Sequence, residues 1–267
     1  MRARKYFAFL RAGLIETVQY RLSLLIMVVG NLLYLILIYF LWKAIYASSG
    51  QEVVNGMTFS DTLIYLVLAT ALFNFMEMYT VWQIGRAIQS GSIVLYLLKP
   101  MEIRRYIFME YSGNFIVNFF ATLFPTFIVV NIVTHGAVPL GLNLLYFVVS
   151  VVIAVMINYN IDFFVGTICL YTESIWGINI MKQVIVLLLS GATIPLAFFP
   201  ESIRNIVNWL PFQSIYNTPL TLLLGKTADI KDVAVILGTQ LFWFLATYAV
   251  SKLFWKISLP QITVNGG

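Results

Sequence analysis

Between Glu110 and Asp162 the chain contains no Asp, Glu, Lys or Arg. A helix crosses a bilayer with about 20 apolar residues, so this stretch is too long for one span and must turn back. The turn signals sit in "HGAVPLG", His135 to Gly141, and divide the stretch into two spans. Leu22 to Trp42 is a second charge-free run. A soluble domain carries about 25% charged residues to cover its surface. Here the charged share is 10%, the hydrophobic share 61% and the mean hydropathy +0.90. The weak alternation of a transmembrane β-barrel is absent from these runs. The fold class that follows is an all-α polytopic membrane protein.

Six spans are expected, at about 22–46, 60–82, 107–134, 141–171, 177–199 and 231–256, within a single domain over 1–267. Lys and Arg near span ends set orientation. With a cytoplasmic N-terminus, Arg2, Arg4, Lys5, Arg11, Arg21, Arg86, Lys99, Arg104, Arg105, Lys182, Lys252 and Lys256 fall inside. Only Lys43, Arg204, Lys226 and Lys231 fall outside, which puts both termini in the cytoplasm. The formal charge of +5 then points to anionic lipid headgroups as partners and not to nucleic acid. The basic start, "MRARKYFAFLRAGLIETVQYR", lacks the apolar core and cleavage site of a signal peptide. Over residues 1–21 it reads instead as a cytoplasmic interfacial helix. Phe7, Leu10, Leu14 and Val18 share one face, and Arg4, Lys5, Glu16 and Gln19 the other.

Enzymatic chemistry finds little to work with. "GKT" at Gly225 to Thr227 ends like a phosphate-binding loop, but Leu220 stands where that loop needs glycine and no strand precedes it. The single His135 cannot assemble a metal site, and Cys169 has no partner for a disulfide. No cofactor bound directly to the chain is expected. Glu77 and Asp162 are acids inside apolar segments and form a possible intramembrane polar site. Glu77 suits the inner half of its helix, paired or facing a polar cavity. Asp162, near the cytoplasmic end of a long span, is close enough to reach water. Transport or scaffolding remains, with an ion-driven carrier or channel as one form of the first.

The run "SGATIPLAFFPESIRNIVNWLPFQSIYNTPL", Ser190 to Leu220, is apolar yet carries Pro195, Pro200, Pro211 and Pro219 with Glu201 and Arg204. Proline removes a backbone donor and clashes with the preceding turn, so one continuous helix cannot pass through. Glu201 to Leu210 and Tyr216 to Leu224 have helical spacing but neither is long enough to cross. Two short helices dipping into the outer leaflet over 200–226 satisfy both facts. Small residues and hydroxyls at Ser190, Gly191 and Thr193 allow close packing at the end of the fifth span.

Extended to "SGATIPLAFFPESIRNIVNWLPFQSIYNTPLTLLLGK", this segment resembles the connection between the fifth and sixth spans of ABC transporter type-2 permeases. The loop "GRAIQSGSIVLYLLKPMEIRRY", with Gly91 and the Leu98–Lys99–Pro100 run, resembles a subgroup of bacterial export permeases. The resemblance covers the whole chain. It implies the transmembrane subunit of an ATP-driven exporter in the bacterial cytoplasmic membrane, pairing with a second or sibling permease. It further implies two copies of a separate ATPase subunit, which would bind the ATP and Mg. Arg86, Gln89, Gly91, Ile93, Leu95, Leu97, Lys99, Pro100, Arg104 and Arg105 would form the ATPase coupling loop. Ile93, Leu95 and Leu97 would make its apolar contacts, with Arg86, Lys99, Arg104 and Arg105 as an outer charged rim. Ser190, Gly191, Thr193, Pro195, Pro200, Pro211, Phe212 and Pro219 would form the outer gate. The aromatic share of 16% and the scarce interior charge favour an amphipathic or lipid-like cargo.

Overall fold

The computed structural model describes residues 21–262 apart from 137, 140, 173 and 226–228. The interfacial helix expected over 1–21 therefore lies almost entirely outside the described residues. α1 (Arg21–Ser49) leads into a two-stranded hairpin, β1 (Val53–Val54) and β2 (Met57–Thr58). There follow α2 (Phe59–Met76), α3 (Thr80–Gln89) and α4 (Ile93–Leu97). α5 (Ile103–Asn118) continues through a π-turn at Phe119–Leu123 into α6 (Phe124–Val133). α7 (Leu142–Ile168) and α8 (Ile175–Leu189) precede two short helices, α9 (Glu201–Asn208) and α10 (Asn217–Leu223); α11 (Ile230–Ser258) follows.

Among the described residues five helical segments are long and apolar enough to cross a membrane: Val29–Ser49, Phe59–Gln89, Ile103–Val133, Leu142–Ile168 and Ile230–Gln261. The helix in the place of the expected fifth span, α8, is apolar but only 15 residues long and ends at Leu189, not Phe199. At 1.5 Å per residue it rises about 22 Å against a hydrocarbon core of about 30 Å. The chain leaves the helix at Ser190 and Gly191, where φ of +80° takes the backbone into the left-handed region.

The second expected span is one apolar run but two helices. α2 ends at Met76, and Glu77 adopts an extended conformation, with φ −60° and ψ 126°. A break inside an apolar segment leaves carbonyls without donors, which lipid cannot supply. Neighbouring helices supply them here. Asn118 Nδ2 donates to the Asn74 carbonyl at 3.2 Å, and Asn158 Nδ2 to the Met76 carbonyl at 3.1 Å. The third span deforms without breaking. Pro125, one residue into α6, has no N–H and crowds the carbonyl of the preceding turn; the π-turn just before it widens the helix at that point.

α7 is the central element, with α3, α10 and α11 packed along it. Lipid is as apolar as leucine, so helices in it associate through close packing and polar contacts and not through water exclusion. Both are present. A Cβ on Gly85 would lie 2.8 Å from the Ile175 side chain, and one on Gly166 3.0 Å from Ile84. Gln240 of α11, fully buried, accepts from Ser150 Oγ and donates to the carbonyls of Ser150 and Ser214, all at 2.9 Å. α1 stands at the edge: it buries Ile38, Trp42 and Tyr46 and exposes Leu32, Leu33, Ile36, Leu37, Phe40 and Leu41. An apolar surface of that kind marks contact with lipid or another membrane helix.

Candidate functional site

The residues singled out from the sequence fall into three groups, and the fold positions each differently.

The first is the hairpin from α3 to α5. Gly91, with φ +70°, turns the chain after α3, and α4 follows as a single helical turn and a half. That helix is two-faced. Ile93 is 2% exposed and belongs to the protein's own core, whereas Leu95 is 63% and Leu98 76% exposed, with Leu97 exposed beside them. Of the expected contact set Ile93, Leu95 and Leu97, Ile93 is buried in the core, while Leu95 and Leu97 are exposed together with Leu98. Around this patch, Arg86 stacks on Trp82 with 5.4 Å from Cζ to the ring centre. Lys99 Nζ stands 3.4 Å from the Tyr106 ring centre and 4.8 Å from that of Tyr96. Gln89 closes α3, and Pro100 lies in the bend before α5. Arg105 is exposed and pairs with Glu102 at 3.2 Å.

Arg104 does not belong to that rim. It is 6% exposed, on the first turn of α5, and faces α7 and α11. Its Nη1 donates to Ser251 Oγ at 2.9 Å, Nη2 donates to Asn160 Oδ1, and its guanidinium lies 4.5 Å from the Tyr248 ring centre. Asn160 is in turn held by Nδ2 bonds to the Phe244 carbonyl and Thr247 Oγ1, and the Tyr159 hydroxyl donates to the Arg104 carbonyl. Counting Lys and Arg near span ends treats neighbours such as Arg104 and Arg105 alike. Only the packing of α5 separates them.

The second group is the intramembrane polar site. Asp162 is fully buried, correcting the expectation that it reaches water. Its carboxylate, otherwise without a hydrogen-bond partner among the described residues, has Lys182 Nζ of α8 at 2.8 Å from Oδ1. Glu77, half-buried at the break between α2 and α3, is in electrostatic reach of the same lysine. Of the two acids singled out from sequence, Asp162 pairs with this lysine and Glu77 lies within its electrostatic influence. Lys182 itself was grouped with the cytoplasmic charges; the structure places it within a helix, facing a buried acid. Beside it lies a largely apolar cavity of about 340 Å³, lined by α7, α8 and α11 and by Pro211 and Phe212.

The third group is Ser190 to Leu224. Its prolines start helices instead of interrupting them: Pro200 precedes α9 and Pro211 opens a 3₁₀ turn. Pro195 precedes a second such turn, and Pro219 occupies the first turn of α10. A proline at a helix start loses no hydrogen bond. Gly191 is the tightest point. The Tyr65 hydroxyl donates to its carbonyl at 2.9 Å with Asn217 Oδ1 3.3 Å away, and a Cβ there would lie 2.8 Å from that hydroxyl. The Ser190 carbonyl accepts from Asn217 N at 3.1 Å, joining α8 to α10. Thr193 Oγ1 is buried without a hydrogen-bond partner among the described residues. Among the described residues no three His, Cys, Asp or Glu side chains converge to hold a metal ion.

No curated protein matches the chain. The family model described as "ABC-2 family transporter protein" matches residues 32–266, which takes in α2 to α11 and all three groups of residues. The chain, a multi-pass helical membrane protein, belongs to the ABC-2 transporter family.

Proposed function

We propose that this chain is the permease subunit of an ATP-driven exporter in a bacterial cytoplasmic membrane, and that α4 is where its ATPase docks. Family membership supports a transmembrane subunit that works with an ABC ATPase in general. The observation that carries the specific assignment is the outward face of α4. Three leucines stand exposed here, Leu95 and Leu97 on the five-residue helix between α3 and α5 and Leu98 just past its end, flanked by Arg86, Lys99 and Arg105. Interface energy concentrates in a few apolar anchors ringed by polar groups, and this element has that composition.

Two permease copies, or this chain with a sibling, and two ATPase subunits make the working unit, with ATP and Mg held by the ATPases. In this reading α8 and the segment from Ser190 to Phe199 together make a sixth crossing, with both chain termini in the cytoplasm. α9 and α10 then form an outer lid that closes over the path between permeases. The apolar cavity beside Lys182 and the aromatic interior favour an amphipathic or lipid-like cargo such as a drug, peptide or glycolipid.

Co-purification tests the proposal. The wild-type permease should retain its ATPase through affinity purification in mild detergent, and Leu95→Ser with Leu97→Ser should lose it while still inserting in the membrane. An ion-gradient carrier or a scaffold would purify without any ATPase, and the double substitution would then change nothing.

A further inference from the structure

Arg104 is a buried cation that forms no ion pair among the described residues. Among the described residues the ion pairs are Arg105 with Glu102 and Lys182 with Asp162, and Arg104 is in neither. Its partners are neutral: Ser251, Asn160 and aromatic rings. A buried charge is normally paired, because leaving water without a counter-charge is costly. The guanidinium lines a cavity of about 400 Å³, whose charged lining residues are Glu102, Arg104 and Arg105. Glu102 pairs with Arg105 at the exposed mouth and also acts electrostatically on Arg104, so the three charged lining residues leave one net positive charge. Apart from Asn160, the remaining wall is apolar or aromatic, including Phe108, Met109, Met156 and Phe244 from three different helices. The backbone N–H groups that open α5 add positive potential at the same level.

A deep cation with a polar mouth and an apolar wall fits a molecule with an anionic head and a hydrocarbon tail. We propose that this pocket binds an anionic phospholipid, its phosphate on Arg104 and part of an acyl chain along Phe108, Met109 and Phe244. The volume is that of an ordinary small-molecule site, enough for a headgroup and the start of a chain. Guanidinium suits the role, since its planar fork matches phosphate oxygens and it keeps unspent donors after bonding Ser251 and Asn160. The bound lipid would tie α5, α7 and α11 together at the membrane edge, next to the loop that carries α4. The site is independent of what the protein transports.

The test is native mass spectrometry of the full chain released from bilayers of equal phosphatidylglycerol and phosphatidylcholine. Wild-type protein should retain phosphatidylglycerol in preference. Arg104→Gln should lower that preference by roughly tenfold, the scale of one lost charged hydrogen bond. Met109→Trp keeps the charge and fills the cavity; it should lower retention as well, and it decides alone should Arg104→Gln fail to accumulate. Equal retention of the two lipids by wild-type protein would overturn the proposal, as would wild-type preference in the folded variants. Displacement of the lipid by inorganic phosphate at equal concentration would also overturn it, leaving a site for free anions.

Discussion

Lys182 and Asp162 set the strongest constraint on any single substitution. Removing one partner of a buried ion pair strands the other, at a cost of about 3–5 kcal/mol, whereas replacing both with apolar residues of similar volume is often neutral. Lys182→Met should therefore lower thermal stability in detergent clearly, and Asp162→Leu in the same chain should restore most of it. Recovery that failed in the double variant would mean that the pair has a partner beyond itself, such as Glu77, which lies in electrostatic reach of Lys182. Glu77 has a gentler expectation. Its position at the end of α2 is a hydrogen-bonding one, so Glu77→Gln should leave transport within a few-fold of wild type. Abolished transport with ATP hydrolysis intact would make the carboxylate part of the translocation chemistry. Asp162 and Glu77 stood out in the sequence because charge is rare in apolar runs. Lys182 did not: it lies seven residues into α8, and nothing in "TESIWGINIMKQ" shows where that helix begins.

Among the elements, α4 and the Gly191 turn make opposite demands. α4 must keep its outer face free, so Leu95→Ser with Leu97→Ser should spare folding and abolish coupling. Ile93→Ser instead puts a hydroxyl into the core and should reduce the yield of folded protein, a cost of about 2–5 kcal/mol for losing a buried aliphatic side chain. Equal yields for the two variants would contradict the two-faced description. At Gly191 a side chain meets a left-handed backbone and the Tyr65 hydroxyl together, so Gly191→Leu should impair transport while the protein still inserts. Tyr65→Phe removes only the hydrogen bond and should be milder, by about 1 kcal/mol. The location of these elements was legible, because prolines, glycines and charges punctuate the apolar runs. Their internal faces were not. A five-residue helix is too short for periodicity to say which aliphatic side chain turns inward, and the break at Glu77 depends on Asn118 and Asn158, amides contributed from distant parts of the chain.

For the whole molecule, the orientation proposed from the charge distribution makes a prediction about the two ends of the bundle. The β-hairpin and α9 share one end in this account, and α4 the other. Single cysteines at Glu52 and Trp209, in a Cys169→Ser background, should react with an impermeant maleimide in intact cells. A cysteine at Leu98 should react only after the membrane is opened. The number of crossings was the least legible property, because α8 is shorter than a span and the chain that follows is irregular.

The central claim is that α4 is the ATPase dock, and photo-crosslinking tests it most directly. A photoreactive amino acid at Leu97, activated in membranes of the native host, should join the permease to a protein containing a phosphate-binding loop. The same probe at Ile93 should join it to nothing outside its own chain. Crosslinks from Leu97 only to lipid, with an ATPase captured at some other loop, would contradict the account.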